Sequence, residues 1–360
     1  VTAPANAIDW HAFLARPPLP APSEALLAEV AKTRILVTGA GGSIGSALSL
    51  RLAALRPRQL LLLDASEQAL HRLQIALTDA GGLPHTQLIL GNVNDPSLLN
   101  EILSPQQLIF HAAAYKHVPL LEQHPLEAIA NNTLATLTLA ESATKAGAAR
   151  IVLLSTDKAA GPASILGATK HIAERIVLAH GGIALRLANV LGTEGSVSET
   201  FTRQIASGAP ITITTPDAER YFLTCNEAVD LLLTSALDAP KGSLLAPQLT
   251  RQHPITSLAR FLAEQLAPQA PIVFTGHRPG DKSCEVFWSL DEQPAASSID
   301  GLLRIHQNTR SCPQHLLATL QAAVASRDLP LALDAVTHLV PSYAPSASIL
   351  AQLRPAGVSR

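Results

Sequence analysis

The amino-acid sequence predicts an α/β chain: a doubly wound parallel sheet with helices on both faces, followed by a smaller C-terminal α/β lobe. Three observations carry that prediction. Short unbroken apolar runs alternate with longer amphipathic stretches from residue 34 to residue 188, the pattern of strands buried on both faces between crossover helices. A glycine-rich turn joins the first run to the first amphipathic stretch. The alternation breaks after Asn189, where shorter helical and strand segments mix.

Taken in order, residues 1–33 are rich in proline and alanine. RPPLPAP (16–22) reads as an extended arm before a short helix at 23–32. The strand-like runs are RILVT (34–38), QLLLLD (59–64), TQLILG (86–91), QLIFHA (107–112), RIVLLS (150–155) and IALRLA (183–188). Between them, SEQALHRLQIALTDA (66–80), with Ser66 as cap, and PLEAIANNTLATLTLAESATKAG (125–147) read as helices. Downstream, helices are expected at 198–206, 226–237 and 255–266, with strands at 211–215 and 271–275. Residues 312–340 read as two amphipathic helices. The expected division is an N-terminal arm and short helix (1–33), a Rossmann-type dinucleotide-binding domain (34–190), a substrate-binding lobe (191–295) and a C-terminal helical extension (296–360).

Composition narrows the function classes. Of 360 residues, 47% are apolar and 15% charged, enough to build a sizeable core and too apolar for a disordered chain. A net charge of −2 argues against broad attraction to nucleic acid or anionic lipid and leaves room for a local basic pocket. Cys225, Cys284 and Cys312 are far apart and odd in number, so neither a disulfide framework nor a cysteine metal site is expected, in keeping with a reducing cytoplasm. The 13 histidines show no ligand spacing, and no metal is expected. No apolar run reaches the ~18 residues of a membrane span, and the N-terminal stretch lacks the basic flank and apolar core of a secretory signal.

The turn TGAGGSIGSAL (38–48) follows the first strand and opens the first helix. Gly39, Gly42 and Gly45 suit a tight turn, close backbone approach to a pyrophosphate and close helix–sheet packing. Asp64 ends the second strand, where a carboxylate accepts hydrogen bonds from ribose hydroxyls and repels a 2′-phosphate. Ala65 and Ser66 follow it rather than an arginine, so NAD is favoured over NADP. Asn92 and Val93 after the third strand are placed for the adenine edge. Ala112, Ala113 and Ala114, in HAAAYKHVP (111–119), present small residues after the fourth strand for the nicotinamide ribose.

ILVTGAGGSIGSAL, HAAAYKHVP, LSTDKA, GATK, NVLGTEGSV, RYFLT and RPGDK, in this order and spacing, resemble the extended short-chain dehydrogenase/reductases of polysaccharide biosynthesis. More narrowly the chain is similar to nucleotide-sugar 4,6-dehydratases acting on UDP-N-acetylglucosamine. The likeness runs from Arg16 to Tyr343 and includes FLARPP and LVPSY. Many members carry an N-terminal membrane region joined through an RPP segment, and this chain looks like the soluble catalytic half. It departs from the pattern at Leu166, where the family has tyrosine or, in one branch, methionine; at Asn92, where aspartate is usual; at Ala188, where glycine precedes the asparagine; and at Asp281, where glutamate is usual.

The resemblance implies a cycle in which bound NAD transiently oxidises the sugar at C4, water leaves from C5 and C6, and the cofactor is regenerated. It implies Asp157 as the acid to the C6 hydroxyl, Lys158 as the base at C5, Thr156 orienting the C4 oxygen, and Lys170 holding the nicotinamide ribose. The cofactor set becomes Gly39, Gly42, Ser43, Ile44, Gly45, Asp64, Ala65, Ser66, Asn92, Val93, Ala112, Ala113, Ala114, Lys116, Asn132 and Lys170. Substrate candidates are Lys116, His117, Asn189, Arg220, Arg278 and Asp281; the last two, three apart in one turn, suit a diphosphate and ribose hydroxyls. A homo-oligomer pairing through 118–147 and 163–180 is expected, with no nucleic acid or membrane-spanning segment. Two rival readings stand beside the dehydratase: a UDP-sugar 4-epimerase on the same fold, which normally needs the absent tyrosine, and a non-catalytic subunit binding NAD and a nucleotide sugar.

Overall fold

A computed structural model describes residues 8–81, 85–276, 280, 282–307 and 312–353. The apolar runs become strands β1 (Arg34–Thr38), β2 (Gln59–Asp64), β3 (Thr86–Leu90), β4 (Leu108–His111), β5 (Arg150–Thr156) and β6 (Ile183–Leu187). Three further strands, β7 (Leu244–Pro247), β8 (Glu292–Ala296) and β9 (Leu302–Gln307), complete a nine-stranded sheet. Its order is β8-β9-β7-β6-β5-β4-β1-β2-β3. Strands β1 to β7 pair in parallel, whereas β8 and β9 form an antiparallel hairpin on β7.

Order reverses between β1 and β4, which opens a crevice at the carboxyl ends of the strands, where doubly wound sheets take their ligands. Leu60, Leu62 and Leu63 of β2 are fully buried, and each such side chain contributes ~1.5–3 kcal/mol relative to exposure. That burial is why an unbroken leucine run forms a strand here rather than a helix face. The sheet also reaches past residue 190, the boundary expected for the dinucleotide-binding unit, because β7, β8 and β9 return to it.

The helix expected at 125–147 forms with an irregularity: Pro125–Ala128 and Ala135–Lys145 are α-helical, and Ile129–Leu134 is a π-turn between them. Such insertions recur at functional positions, and this one carries Asn132.

Helices Val197–Ala206 and Ile255–Leu266 pack with strands Ile211–Ile213 and Ile272–Phe274 around a second core that includes Phe201, Phe222, Leu258 and Leu262. The N-terminal arm belongs to this core. Helix Trp10–Leu14, capped by Asp9, contributes Phe13 and Leu14, and Arg16 makes a bidentate pair with Glu227 at 2.6 and 3.0 Å.

One expectation is overturned. Helix Ile165–Ala179 is buried along nearly its whole length, so it offers no pairing surface to a second chain. The helices Gln314–Ser326 and Leu329–Leu339 cover this side of the molecule, and Arg175 donates to the Leu339 carbonyl at 2.5 Å. No helix among the described residues is long and apolar enough to cross a membrane.

Candidate functional site

The glycine turn after β1 is built by contacts that exclude side chains. Gly39 has φ +69°, and a Cβ there would stand 2.5 Å from the Ala113 amide nitrogen. At Gly45 a Cβ would fall 2.0 Å from the Gly39 carbonyl. Gly42 differs: among the described residues its Cβ would meet only the Gly39 carbonyl, at 3.4 Å, beyond its own chain neighbours and helix. It therefore leaves a backbone approach open at the N-terminus of helix Ser43–Ala54, where unpaired amides and the helix dipole favour an anion. The residues present fit a dinucleotide pyrophosphate.

Asp64 is fixed at the end of β2, its two oxygens accepting from the Gly41 and Ser66 amides, each at 2.8 Å. It lines a cavity of about 290 Å³ with Ala65, Ser66, Asn92, Val93 and the loop 112–114. Sharing Gly39, Gly42, Ala112 and Ala114, a larger cavity of about 550 Å³ continues over Ser43, Ile44, Gly45, Lys116 and His117. A third, of about 230 Å³, holds Thr156, Lys158, Leu166, Lys170 and Asn189. One cleft thus runs along the carboxyl ends of the sheet. Asn132 is only 1% exposed and shapes this cleft from behind: its side chain accepts from the Tyr115 amide at 2.8 Å and donates to the Tyr115 carbonyl at 3.1 Å.

The loop 192–196 crosses the cleft. The Glu194 amide donates to Ser43 Oγ at 3.1 Å, Lys116 Nζ donates to the Glu194 carbonyl, and Arg72 pairs with the Glu194 carboxylate at 3.6 Å. His117 lies against Gly195, where a Cβ would come within 2.5 Å of its ring. Burial lowers the pKa of both Lys116 and His117, and Lys116 lowers that of His117 further.

At the end of β5 the chain turns through a short 3-10 segment, Asp157–Ala159. Thr156 Oγ1 donates to Asp157 Oδ1 at 2.9 Å. Lys158 Nζ donates to the same oxygen at 3.0 Å and to Asn189 Oδ1 at 3.1 Å, while Glu285 Oε1 lies 3.7 Å away. Asp157 is fully buried, and its Oδ2 accepts no hydrogen bond among the described residues. Burial opposes the charge on Lys158, but Asp157 and Glu285 together outweigh it and raise its pKa.

Lys170 approaches the same cavity from helix Ile165–Ala179 and donates to the Leu154 carbonyl at 2.7 Å. Burial brings its pKa down to about 8. Beneath the cleft, burial and then Lys170 bring His111 to about 3, so it is a neutral ring between the Thr38 and Thr136 hydroxyls. Leu166, the residue in place of a phenol, is 5% exposed and forms apolar wall beside Lys158 and Lys170.

Not every candidate converges. The Arg220 guanidinium donates to the carbonyls of Glu219, Ser283 and Lys282 at 2.7, 2.9 and 2.7 Å, and so anchors that segment instead of facing the cavity. Arg278 and Asp281 lie outside the described residues. Sequence reasoning missed Glu285, whose only signal was its place just beyond the RPGDK motif, and Glu194, a surface-like acid in a glycine loop. No cluster of metal-ligating side chains occurs among the described residues.

Fold and site together define a Rossmann-type α/β protein with a cleft fitted to a dinucleotide at the carboxyl ends of its parallel strands. The chain belongs to the polysaccharide biosynthesis protein family, whose model matches residues 35–307. It is 35% identical over 298 residues to the capsular polysaccharide biosynthesis protein CapD of Staphylococcus aureus, a match covering 79% of this chain and 50% of that one. It is 28% identical over 289 residues to the UDP-glucose 4-epimerase of Rickettsia akari (strain Hartford), covering 77% of this chain and 83% of the relative. Among solved structures, the dTDP-glucose 4,6-dehydratase DesIV of Streptomyces venezuelae, with NAD bound, shares the fold at TM-score 0.64 and 22% identity, over 72% of this chain and 88% of that chain. The chain thus spans about half the length of CapD.

Proposed function

We propose that the chain is an NAD-dependent nucleotide-sugar 4,6-dehydratase acting on UDP-N-acetylglucosamine in the cytoplasm, for surface polysaccharide or glycan biosynthesis. The observation that carries this reading is a lysine amine, Lys158, facing a cavity with Lys170 and Leu166 while hydrogen-bonded to a fully buried carboxyl, Asp157. The Gly39–Gly42 turn would hold the cofactor's pyrophosphate, Asp64 its ribose hydroxyls and Lys170 the nicotinamide ribose. When bound, NAD would supply reversible hydride acceptance, which makes C4 of the sugar a ketone and later reduces C6.

The protein's part is proton transfer. A C4 ketone acidifies the C5 proton, which Lys158 Nζ takes as a free amine. Asp157 gives its proton to the C6 hydroxyl, which leaves as water. Positioned acids and bases of this kind contribute ~10²–10⁴-fold in rate. Both required protonation states arise from one shift along an existing bond: the proton between Lys158 Nζ and Asp157 Oδ1 moves over 3.0 Å, turning an ion pair into a neutral acid and a neutral base. Exclusion of water by bound substrate favours the uncharged pair. Thr156, already donating to Asp157 Oδ1, orients the C4 oxygen, whose hydroxyl proton passes to water as the hydride leaves C4; water returns a proton to Asp157 after the C6 hydroxyl has departed.

Incubation with UDP-N-acetylglucosamine tests the reading. A product lighter by one water and carrying a 4-keto-6-deoxy signature in proton NMR supports it; an isomer of unchanged mass supports a 4-epimerase, the reading favoured by the epimerase relative. Leu166 stands against the epimerase, because that reaction normally needs the phenol this position lacks.

A further inference from the structure

Glu285, beside Lys158, is an acid that the dehydratase reading leaves without a task. It is 2% exposed, its Oε1 lies 3.7 Å from Lys158 Nζ, and its Oε2 is ion-paired with Lys282 Nζ at 3.6 Å without accepting a hydrogen bond among the described residues. Its segment is deliberately held. Arg220 grips the carbonyls of Lys282 and Ser283, and Lys282 Nζ donates to the Ala160 carbonyl just after the 3-10 turn. Among the described residues Lys158 therefore has three partners around its amine, Asp157, Asn189 and Glu285.

An anionic Glu285 would hold a proton on Lys158 and keep it from acting as a base. With Glu285 neutral, the three groups Asp157, Lys158 and Glu285 carry two protons and no net charge. The shift from Lys158 Nζ to Asp157 Oδ1 then breaks one N–H bond, forms one O–H bond and leaves every member uncharged. We propose that Glu285 is a positioning residue that sets the proton count of the Asp157–Lys158 pair: as a neutral carboxylic acid it permits the pair to arm, and as a carboxylate it locks Lys158 as an ammonium. This inference rests on the proposed dehydration.

Among the described residues, the charges that face Glu285 are Lys158, Asp157, Lys282 and Arg220. Burial raises its pKa most, Asp157 adds to that, and the three cations oppose it, with a net rise. The expected consequence is an alkaline fall in turnover that belongs to Glu285.

The test uses the full chain labelled with ¹³C-carboxyl glutamate, together with Glu285→Gln and Glu285→Asp. The Glu285 resonance is identified by its loss in either variant, so a glutamine variant that fails to fold does not stop the assignment. It should titrate above the free glutamate value of ~4.3; ionisation at or below that value overturns the proposal. With UDP-N-acetylglucosamine, Glu285→Gln should move the alkaline fall of kcat upward with KM unchanged, while Glu285→Asp keeps a fall. A folded glutamine variant with the wild-type fall, or with no turnover, also overturns it. The carboxyl titration is read without turnover: absence of product from the wild type removes the proposed reaction, whereas a carboxyl ionised at its ordinary value removes the role of Glu285.

Discussion

Neighbouring residues of β5 feed two clusters of buried charge that differ in how completely they are satisfied. Ser155 leads to Arg186, Glu174 and Glu292, all at or below 5% exposure. There the guanidinium makes five bonds of 2.6–2.9 Å, two to each carboxylate and one to the Phe287 carbonyl. Gln307 and the Ser289 amide bind Glu292 as well. Thr156 leads to Asp157, Lys158 and Glu285, where contacts lengthen to 3.0–3.7 Å; among the described residues Asp157 Oδ2 accepts no hydrogen bond, and Glu285 Oε2 has only an ion pair to Lys282 at 3.6 Å. Fully satisfied networks fix a structure, while buried polar atoms without partners mark places where a ligand or a proton completes the set. The two glutamates register the difference. Hydrogen bonds and charge from Arg186 overcome burial and take Glu292 down to about 2, whereas burial dominates at Glu285 and raises it.

The sharpest way to break this comparison is to remove one cation from each cluster. Arg186→Leu strands two carboxylates in the core and should cost ~3–5 kcal/mol of stability, since breaking a buried pair leaves an uncompensated charge. Chemical unfolding of wild type and variant reads that loss directly. Lys158→Ala should act mainly on rate. Turnover falls by ~10²–10⁴-fold and cofactor-induced stabilisation persists, while the loss of stability stays below that of Arg186→Leu, because Lys158 makes one carboxylate hydrogen bond where Arg186 makes four. If Lys158→Ala lost as much stability as Arg186→Leu while its folded fraction kept the wild-type rate, the two clusters would have to exchange roles.

The second cluster was partly legible in the sequence, and the reason is local. Asp157 and Lys158 are adjacent and follow an apolar run, so a short motif marks them. Glu285 reaches Lys158 only because the segment after Gly280 is folded back and clamped by Arg220, which no periodicity reveals. The same divide holds for the fold. Runs such as QLLLLD are buried on both faces and read as strands from composition alone. The hairpin EQPAA and LLRIHQ lies at the sheet edge with several positions exposed, and LLAP ends in proline, so neither shows an unbroken apolar run of strand length. The Arg186 network was invisible for a further reason: a charged residue inside IALRL looks like an interruption until its two acidic partners arrive from a helix and the distant β8 strand.

Smaller effects sharpen the contrast through pH. His111 is held neutral in the folded chain, about 3 against an ordinary 6.5. Below 6.5 the unfolded chain takes up a proton that the folded chain does not, so stability falls with decreasing pH, by up to about 1.4 kcal/mol per unit for one proton. His111→Gln should flatten that slope in urea unfolding curves between pH 6 and about 4. Lys170 gives the mirror case at the alkaline end. Its folded value of about 8 lies below the unfolded 10.5, so between those values the unfolded chain carries the extra proton and stability rises with pH. Lys170→Met should remove that rise.

The smallest expected effect falls on the wall between the two lysines. Leu166 packs at 5% exposure beside Lys158 and Lys170 and offers no exchangeable proton. If acid–base work belongs to the Asp157–Lys158 pair, position 166 needs volume and apolar character only. Leu166→Met, nearly volume-conserving, should therefore change stability by less than about 1.5 kcal/mol and leave the shape of the pH–rate profile as it is. Leu166→Tyr brings a phenol to the same wall at an overpacking cost of ~1–3 kcal/mol. A tyrosine variant that gained rate and acquired a new ionisation in its profile would show that the wall position, and not the buried charge behind it, governs proton transfer.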